Sequence, residues 1–185
     1  TAVCPVGVEG DKMRIAQRSI RKYNLAPSYA NIDENLLIER CNKFASTSNK
    51  NVSSGNNQKV IYFAGCMTAL TPAISRSTTS ILRKAGISYE IMDKDGGICC
   101  GRPMMMAGRL AQAEEMIAKN TAIIKASGAD ILLLSCPICY KIFKEKYDLE
   151  GIEIVHHTEY FDRLINEGRL SVNEGSQRYV YHDPC

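Results

Sequence analysis

The sequence predicts an α/β fold with a parallel sheet, because short apolar runs alternate with helical segments along most of the chain. Glycines support this prediction: Gly86, Gly128 and Gly168 each follow a helical segment, where a left-handed C-terminal cap is expected. A strand, a helix and a second strand, repeated, place helices over the faces of a parallel sheet. We therefore expect a Rossmann-like arrangement.

The first 58 residues differ from the rest of the chain. Apolar residues at helical spacing predict helices over residues 11–23 and 34–45. Residues 46–58 contain one large apolar residue among serines, asparagines and a glycine, so this stretch cannot pack into a core. We expect a helical linker up to residue 46, a flexible tether over 47–58, and a cysteine-rich module over 59–176.

Within that module and just after it, β-favouring runs are separated by helical patterns. Each run is short and apolar, and helical spacing of apolar residues returns after each of the first four. The predicted strands are 60–63, 89–92, 131–134, 152–155 and 179–181, and the predicted helices are 72–85, 110–126, 138–147 and 159–167.

Composition and charge exclude several classes of function. The 185 residues are 45% apolar and 23% charged, which suits one globular domain with a short appendage. The 23 basic and 20 acidic residues interleave, which argues against a nucleic-acid partner. No apolar run approaches the roughly 18 residues of a membrane span. We expect no transmembrane segment in this fragment and a cytoplasmic protein, with any membrane association made through a partner.

Five of the eight cysteines follow the first three predicted strands. Cys66 comes after the first strand, Cys99 and Cys100 come after the second, and Cys136 and Cys139 come after the third. Ligands collect at the carboxyl edge of an open parallel sheet, because loops converge and helices begin there. We expect these five side chains to lie close together.

Four kinds of site compete for these cysteines. A disulfide framework is disfavoured, because the chain shows no secretory signal and has enough apolar residues for a core. The C-x-x-C of Cys136 and Cys139 fits a thioredoxin-like redox pair but leaves the other three unexplained. Zinc takes four ligands, and the adjacent Cys99 and Cys100 fit poorly around one ion. An iron–sulfur cluster can use all five sulfurs.

The spacing C-x32-C-C-G-x34-C-x-x-C resembles the cysteine-rich "CCG" domain found in the B and D polypeptides of heterodisulfide reductase. The same domain occurs in iron–sulfur subunits of glycolate oxidase, lactate-utilisation enzymes and anaerobic glycerol-3-phosphate dehydrogenase. The resemblance implies an oxidoreductase subunit that passes electrons through a 4Fe-4S cluster, which in heterodisulfide reductase is noncubane. It also implies the ligands, namely Cys66, Cys99, Cys100, Cys136 and Cys139.

The resemblance implies partners as well. A flavin-containing or other redox subunit would exchange electrons with the chain, and a disulfide or a quinone would accept them. One alternative is an iron–sulfur subunit of a glycolate, lactate or glycerol-3-phosphate dehydrogenase that delivers electrons to quinone. The other is a zinc-binding structural or interaction module. The sequence names no catalytic residue.

Two further cysteines stand at the ends of the chain. RYVYHDPC, ending at Cys185, repeats the pattern of VIYFAGC, ending at Cys66, so residues 177–185 are expected to begin a second, truncated module. Cys4 and Pro5 resemble the last Cys-Pro of the bacterial ferredoxin pattern. That resemblance implies a truncated ferredoxin-like segment, with Cys4 as a ligand of a cubane 4Fe-4S cluster in a longer protein.

For other residues the structural explanation is the simpler one. Cys41 lies among apolar residues of the second predicted helix and is expected to be a small buried side chain. His156 and His157 end the fourth predicted strand, where capping and packing explain them. Ordinary packing explains Met104 and its neighbours, and the corresponding functional interpretation is a soft apolar wall around a cluster. A surface position explains Arg102, and the corresponding functional interpretation is a cation beside a cluster.

Overall fold

The computed structural model describes residues 10–21, 58–66, 72–92, 98–173 and 175–180. These ranges contain four strands and six helices. The strands are β1 (Val60–Phe63), β2 (Tyr89–Ile91), β3 (Ile131–Leu134) and β4 (Glu153–His156). The helices are α1 (Gly10–Arg21), α2 (Pro72–Lys84), α3 (Arg102–Met106), α4 (Leu110–Ser127), α5 (Pro137–Lys146) and α6 (His157–Asn166).

The four described strands form one sheet in the order β2-β1-β3-β4, and every pair is parallel. Val60 of β1 pairs with Tyr89 on one side and with Ile131 on the other. After β1 the chain therefore forms β2 at one edge of the sheet and then returns to pair β3 with the other side of β1. The α/β prediction is confirmed, and the strand order reverses between β1 and β3.

Both faces of the sheet are buried. Every residue of β1 and β3 is buried, as expected for parallel strands covered on two sides. Ile61 and Phe63 pack with α4 and α5, whereas Val60 and Tyr62 pack with α2 and α6. This alternation follows from the two-residue period of a strand. The result is a sheet between two helical layers.

Most element boundaries agree with the sequence prediction to within two residues, and Gly86, Gly128 and Gly168 have the expected positive φ. Helix α3 was not predicted. The strand predicted at 179–181 is wrong for its first two residues, because Tyr179 and Val180 have no strand conformation and are 82% and 97% exposed. An apolar run becomes a strand only where a neighbouring strand supplies hydrogen bonds.

Several predictions fall outside the described residues. These are the helix over 34–45, residues 46–57 of the tether, and Cys4, Cys41 and Cys185. Helix α1 matches the first predicted helix and contacts α3. Among the described helices, none combines the length and apolar composition of a membrane span.

Candidate functional site

The five motif cysteines lie where the strand order reverses, at the carboxyl ends of β1, β2 and β3. Cys66 follows β1 by three residues, and Cys136 follows β3 by two and begins α5 as its N-cap. Crevices at such switch points are the usual ligand sites of open α/β sheets. The location expected from the sequence is thus reproduced by the topology.

Glycines with positive φ set the backbone conformation of two loops at the site. Gly65 has a φ of 84°, and a Cβ at this position would lie 3.7 Å from the sulfur of Cys139. The loop after β1 therefore passes directly beside α5. Gly101 has a φ of 89°, which lets the chain turn from Cys100 into α3.

The five sulfurs interact in series. The thiol of Cys99 interacts by hydrogen bonding with the side chains of Cys100 and Cys66. The thiol of Cys139 interacts in the same way with the side chains of Cys100 and Cys136. Hydrogen bonding thus connects Cys66, Cys99, Cys100, Cys139 and Cys136 in that order, and charge interactions of Cys66 with Cys100 and Cys136 make the five side chains one group.

Donors and acceptors alternate along this series. Hydrogen bonds from Cys139 and then Cys99 lower the pKa of Cys100 to about 3, against the cost of burial. A hydrogen bond from Cys139 lowers the pKa of Cys136 to about 6, and one from Cys99 lowers the pKa of Cys66. The pKa values of Cys99 and Cys139 are raised, because each thiol keeps the proton that it donates to Cys100 and to its other neighbour. Three positions thus favour the thiolate, which is the metal-binding form.

Backbone amides add to this preference. The N–H groups of Cys139 and Ile138, in the first turn of α5, lower the pKa of Cys136 further. The N–H of Arg102, at the start of α3, does the same for Cys100. Free amides at a helix start stabilise an anion. Arg102 thus acts on Cys100 through its backbone N–H.

Methionine side chains line one side of the site. Met104 and Met116 are fully buried and pack with Cys99 and Ala113, and Met105 and Cys66 pack against this cluster. The sequence left packing and a soft apolar wall as alternatives for Met104 and Met105. In the structure the two descriptions coincide, because the packing partner is a motif cysteine.

His156 ends β4 at the same edge of the sheet. Its Nδ1 lies 2.8 Å from the hydroxyl of Thr158, and its ring meets the ring of Tyr140, the residue after Cys139. Its Nε2 is buried and has no hydrogen-bond partner among the described residues. Although His156 is the N-cap of α6, its side chain makes no capping hydrogen bond, so the expected capping role is not seen.

Two polar residues that the sequence analysis did not single out contact the adjacent cysteines. Asn120 donates a hydrogen bond to the carbonyl of Cys99, and Tyr147 donates one to the carbonyl of Cys100. A signal for Asn120 was present, since it lies four residues after Met116 and three before Ile123, on the apolar face of a helix. Nothing local distinguished Tyr147.

The donor set fits a thiophilic metal centre. The series consists of sulfur alone, and soft thiolates select iron–sulfur clusters and zinc over hard cations. No three described His, Cys, Asp or Glu side chains are arranged around one point as ligands of a single ion.

The chain was compared with known proteins. The family model of the CCG cysteine-rich domain matches residues 60–144. The D polypeptide of dihydromethanophenazine:CoB–CoM heterodisulfide reductase from Methanosarcina acetivorans is 30% identical over 144 residues, which cover 72% of this chain and 35% of the relative. The B polypeptide of fumarate reductase (CoM/CoB) from Methanothermobacter marburgensis is 24% identical over 192 residues, covering 99% of this chain and 38% of the relative.

A probable membrane-anchored ferredoxin from Chromohalobacter salexigens is 24% identical over 121 residues, covering 60% of this chain and 18% of the relative. No solved structure is significantly similar to the chain. The chain spans little more than a third of the length of the first two relatives. The family model covers the first three strands and all five motif cysteines, and the chain belongs to the CCG cysteine-rich domain family through residues 60–144.

Proposed function

We propose that this chain is part of an oxidoreductase subunit and that Cys66, Cys99, Cys100, Cys136 and Cys139 hold an iron–sulfur cluster. The observation that carries the proposal is the series of five sulfurs at the switch point of the sheet. When bound, a cluster of this kind supplies one-electron oxidation and reduction.

The extent of the series supports a multinuclear cluster over a single zinc ion. Zinc in a closed structural site takes four ligands at one centre. In this chain Cys100 occupies the middle of the series, with two further sulfurs on each side. Five interacting thiols exceed the four ligands of one zinc ion, whereas a cluster of several metal ions can use all five. A 4Fe-4S cluster, cubane or noncubane, is the form that we propose.

The protein's own residues prepare this site in two ways. Amide groups at the starts of α3 and α5 favour the thiolates of Cys100 and Cys136 before any metal binds. The buried Met104 and Met116 cover Cys99 and keep water from that side. A dry, thiolate-rich pocket tunes the reduction potential of a cluster.

The relatives support electron transfer as the role of the whole protein. Two of them are named as subunits of a heterodisulfide reductase and of a fumarate reductase. We propose a flavin-containing or other redox subunit as partner and a disulfide or quinone as acceptor. Glycolate, lactate and glycerol-3-phosphate dehydrogenation remain alternative reactions of the whole enzyme.

We also propose that Cys4 and Cys185 serve other clusters of a longer protein. In this picture Cys4 ligates a cubane cluster of a ferredoxin-like segment, and Cys185 begins a second cysteine-rich module. Neither should contribute to the site on Cys66, Cys99 and their three partners.

The test is anaerobic reconstitution of the 185-residue chain with iron and sulfide, followed by iron and sulfide analysis, visible absorption and electron paramagnetic resonance. We expect broad visible absorption and about four irons per chain. Single Cys→Ser changes at the five positions should each reduce the iron content. Cys4→Ser and Cys41→Ser are the matched controls and should retain it.

A colourless protein that binds one zinc ion and no iron would overturn the proposal. Cys99→Ser and Cys100→Ser separate the alternatives further. A four-ligand zinc site should tolerate the loss of one of the pair, whereas a five-thiolate cluster should tolerate neither loss.

A further inference from the structure

Asn120 and Tyr147 form a buried polar pair in an otherwise apolar core. Asn120 is fully buried in α4, and Tyr147 is 8% exposed at the end of α5. The Nδ2 of Asn120 lies 3.0 Å from the hydroxyl of Tyr147. A buried polar pair needs partners, because each unpaired group carries the full cost of losing water.

The partners are the backbone carbonyls of the two adjacent cysteines. The Nδ2 of Asn120 donates to the carbonyl of Cys99 over 2.9 Å, and the hydroxyl of Tyr147 donates to the carbonyl of Cys100 over 3.1 Å. The carbonyls of Cys99 and Cys100 therefore point into the core. The two hydrogen bonds hold the peptide planes on both sides of Cys100, one of which is also the plane after Cys99, and this restricts the directions of the two Cβ atoms.

Rigid packing supports this pair. The ring of Tyr147 stacks on Phe143 with centroids 3.9 Å apart, and Phe143 meets Phe63 of β1 edge to face. Tyr147 also directly follows α5, the helix that carries Cys139 in its first turn. Helix α5 and its C-cap residue thus supply the sulfur of Cys139 to the site and a hydroxyl to the backbone of Cys100.

We propose that Asn120 and Tyr147 are positioning residues that fix the orientation of Cys99 and Cys100 for metal binding. The inference rests on the proposed function, because it concerns the same site. The hydrogen bonds to the two carbonyls do not themselves require a metal. Loss of either hydrogen bond should loosen the segment that carries the adjacent cysteines while the sheet stays folded. Groups around the ligands set ligand orientation and the properties of a metal site.

The first experiment uses metal-free protein. Alkylation by iodoacetamide at one pH, mapped by mass spectrometry, reports how often Cys99 and Cys100 become accessible through local opening. Tyr147→Phe keeps the stacked ring and removes only the hydroxyl. We expect alkylation of Cys99 and Cys100 to accelerate roughly three- to tenfold, the range that one lost hydrogen bond produces in an opening equilibrium.

Ile124→Val is the matched control, because Ile124 is a fully buried residue of α4 in the same core that donates no hydrogen bond to either carbonyl. It lowers global stability, and we expect its effect on both alkylation rates to stay within about twofold. Equal alkylation rates in wild type and Tyr147→Phe would overturn the inference, and so would equal acceleration by Tyr147→Phe and Ile124→Val. Asn120→Leu provides a second variant and should accelerate Cys99 most.

The second experiment uses iron- and sulfide-reconstituted protein. Tyr147→Phe should shift the electron paramagnetic resonance signal and the midpoint potential, and Ile124→Val should shift neither. Unchanged signals in Tyr147→Phe would count against positioning. If the wild type binds no iron, the proposed function fails, whereas the alkylation experiment still decides whether the pair holds the adjacent cysteines.

Discussion

Gly65 is a single residue that places the loop after β1 beside the sulfur of Cys139. Its φ of 84° lies in the left-handed region, which costs other residues about 1–2 kcal/mol. A methyl group there would contact the Phe63 ring at 3.5 Å and the Cys139 sulfur at 3.7 Å, both ordinary distances. The requirement for glycine is therefore conformational, and relief of strain would move the neighbouring Cys66.

We predict that Gly65→Ala loses about 1–2 kcal/mol of unfolding free energy and changes the alkylation rate of Cys66. Gly151→Ala is the control, since Gly151 has a similar φ of 81° with open space around it. Urea denaturation should show comparable losses in the two variants. An unchanged Cys66 rate in Gly65→Ala would contradict the coupling between this backbone strain and the site.

At the scale of elements, a histidine links the two helices on one face of the sheet. The Nδ1 of His157, in α6, lies 3.2 Å from the hydroxyl of Thr78, which is buried in α2. Burial, and to a lesser degree the neighbouring His156, lowers the pKa of His157. The folded protein therefore holds this imidazole neutral at a pH where the unfolded chain would already protonate it.

This lowered pKa predicts a loss of stability in acid. The contribution of neutral His157 is complete above the unfolded pKa of about 6.5, and it is lost as the pH falls through the lower folded pKa. Urea denaturation at pH 7.5 and pH 5.5 should show a larger fall for wild type than for His157→Gln. The same fall in both proteins would show that another group causes it.

At the scale of the whole molecule, the sheet is covered on two sides, and β3 lies in its interior. Leu132 packs towards α4 and α5, whereas Leu133 packs towards α2 and α6, and both are fully buried. Each leucine therefore fills a different core. A sheet with one open face would bury only one of them.

Leu132→Ala and Leu133→Ala should each lower the free energy of unfolding by about 2–5 kcal/mol. Val172→Ala, at a residue that is 66% exposed, should change it by less than about 0.5 kcal/mol. Chemical denaturation of the three variants measures the difference. A small effect at either leucine would contradict the assignment of two helical layers.

Much of the architecture could be predicted from the sequence because its signals are local. The apolar runs of β1 and β3 matched the structure residue for residue, since continuous apolar stretches are what strands buried on both faces require. The short α3 was missed, because five residues are too few to show a helical period. The strand prediction for Tyr179 and Val180 was wrong, because a strand also depends on a neighbouring strand that local sequence does not reveal.

The sequence by itself determined the α/β class, the five cysteines of the motif and the edge of the sheet at which they gather, because chain order places each of them after a parallel strand. Only the tertiary structure decided which cysteine side chains interact with one another and which polar pair, Asn120 and Tyr147, binds the backbone of Cys99 and Cys100. The physical reason is separation along the chain. Asn120 and Cys99 are 21 residues apart and Tyr147 and Cys100 are 47 apart, so their contacts depend on how α4 and α5 pack on the sheet.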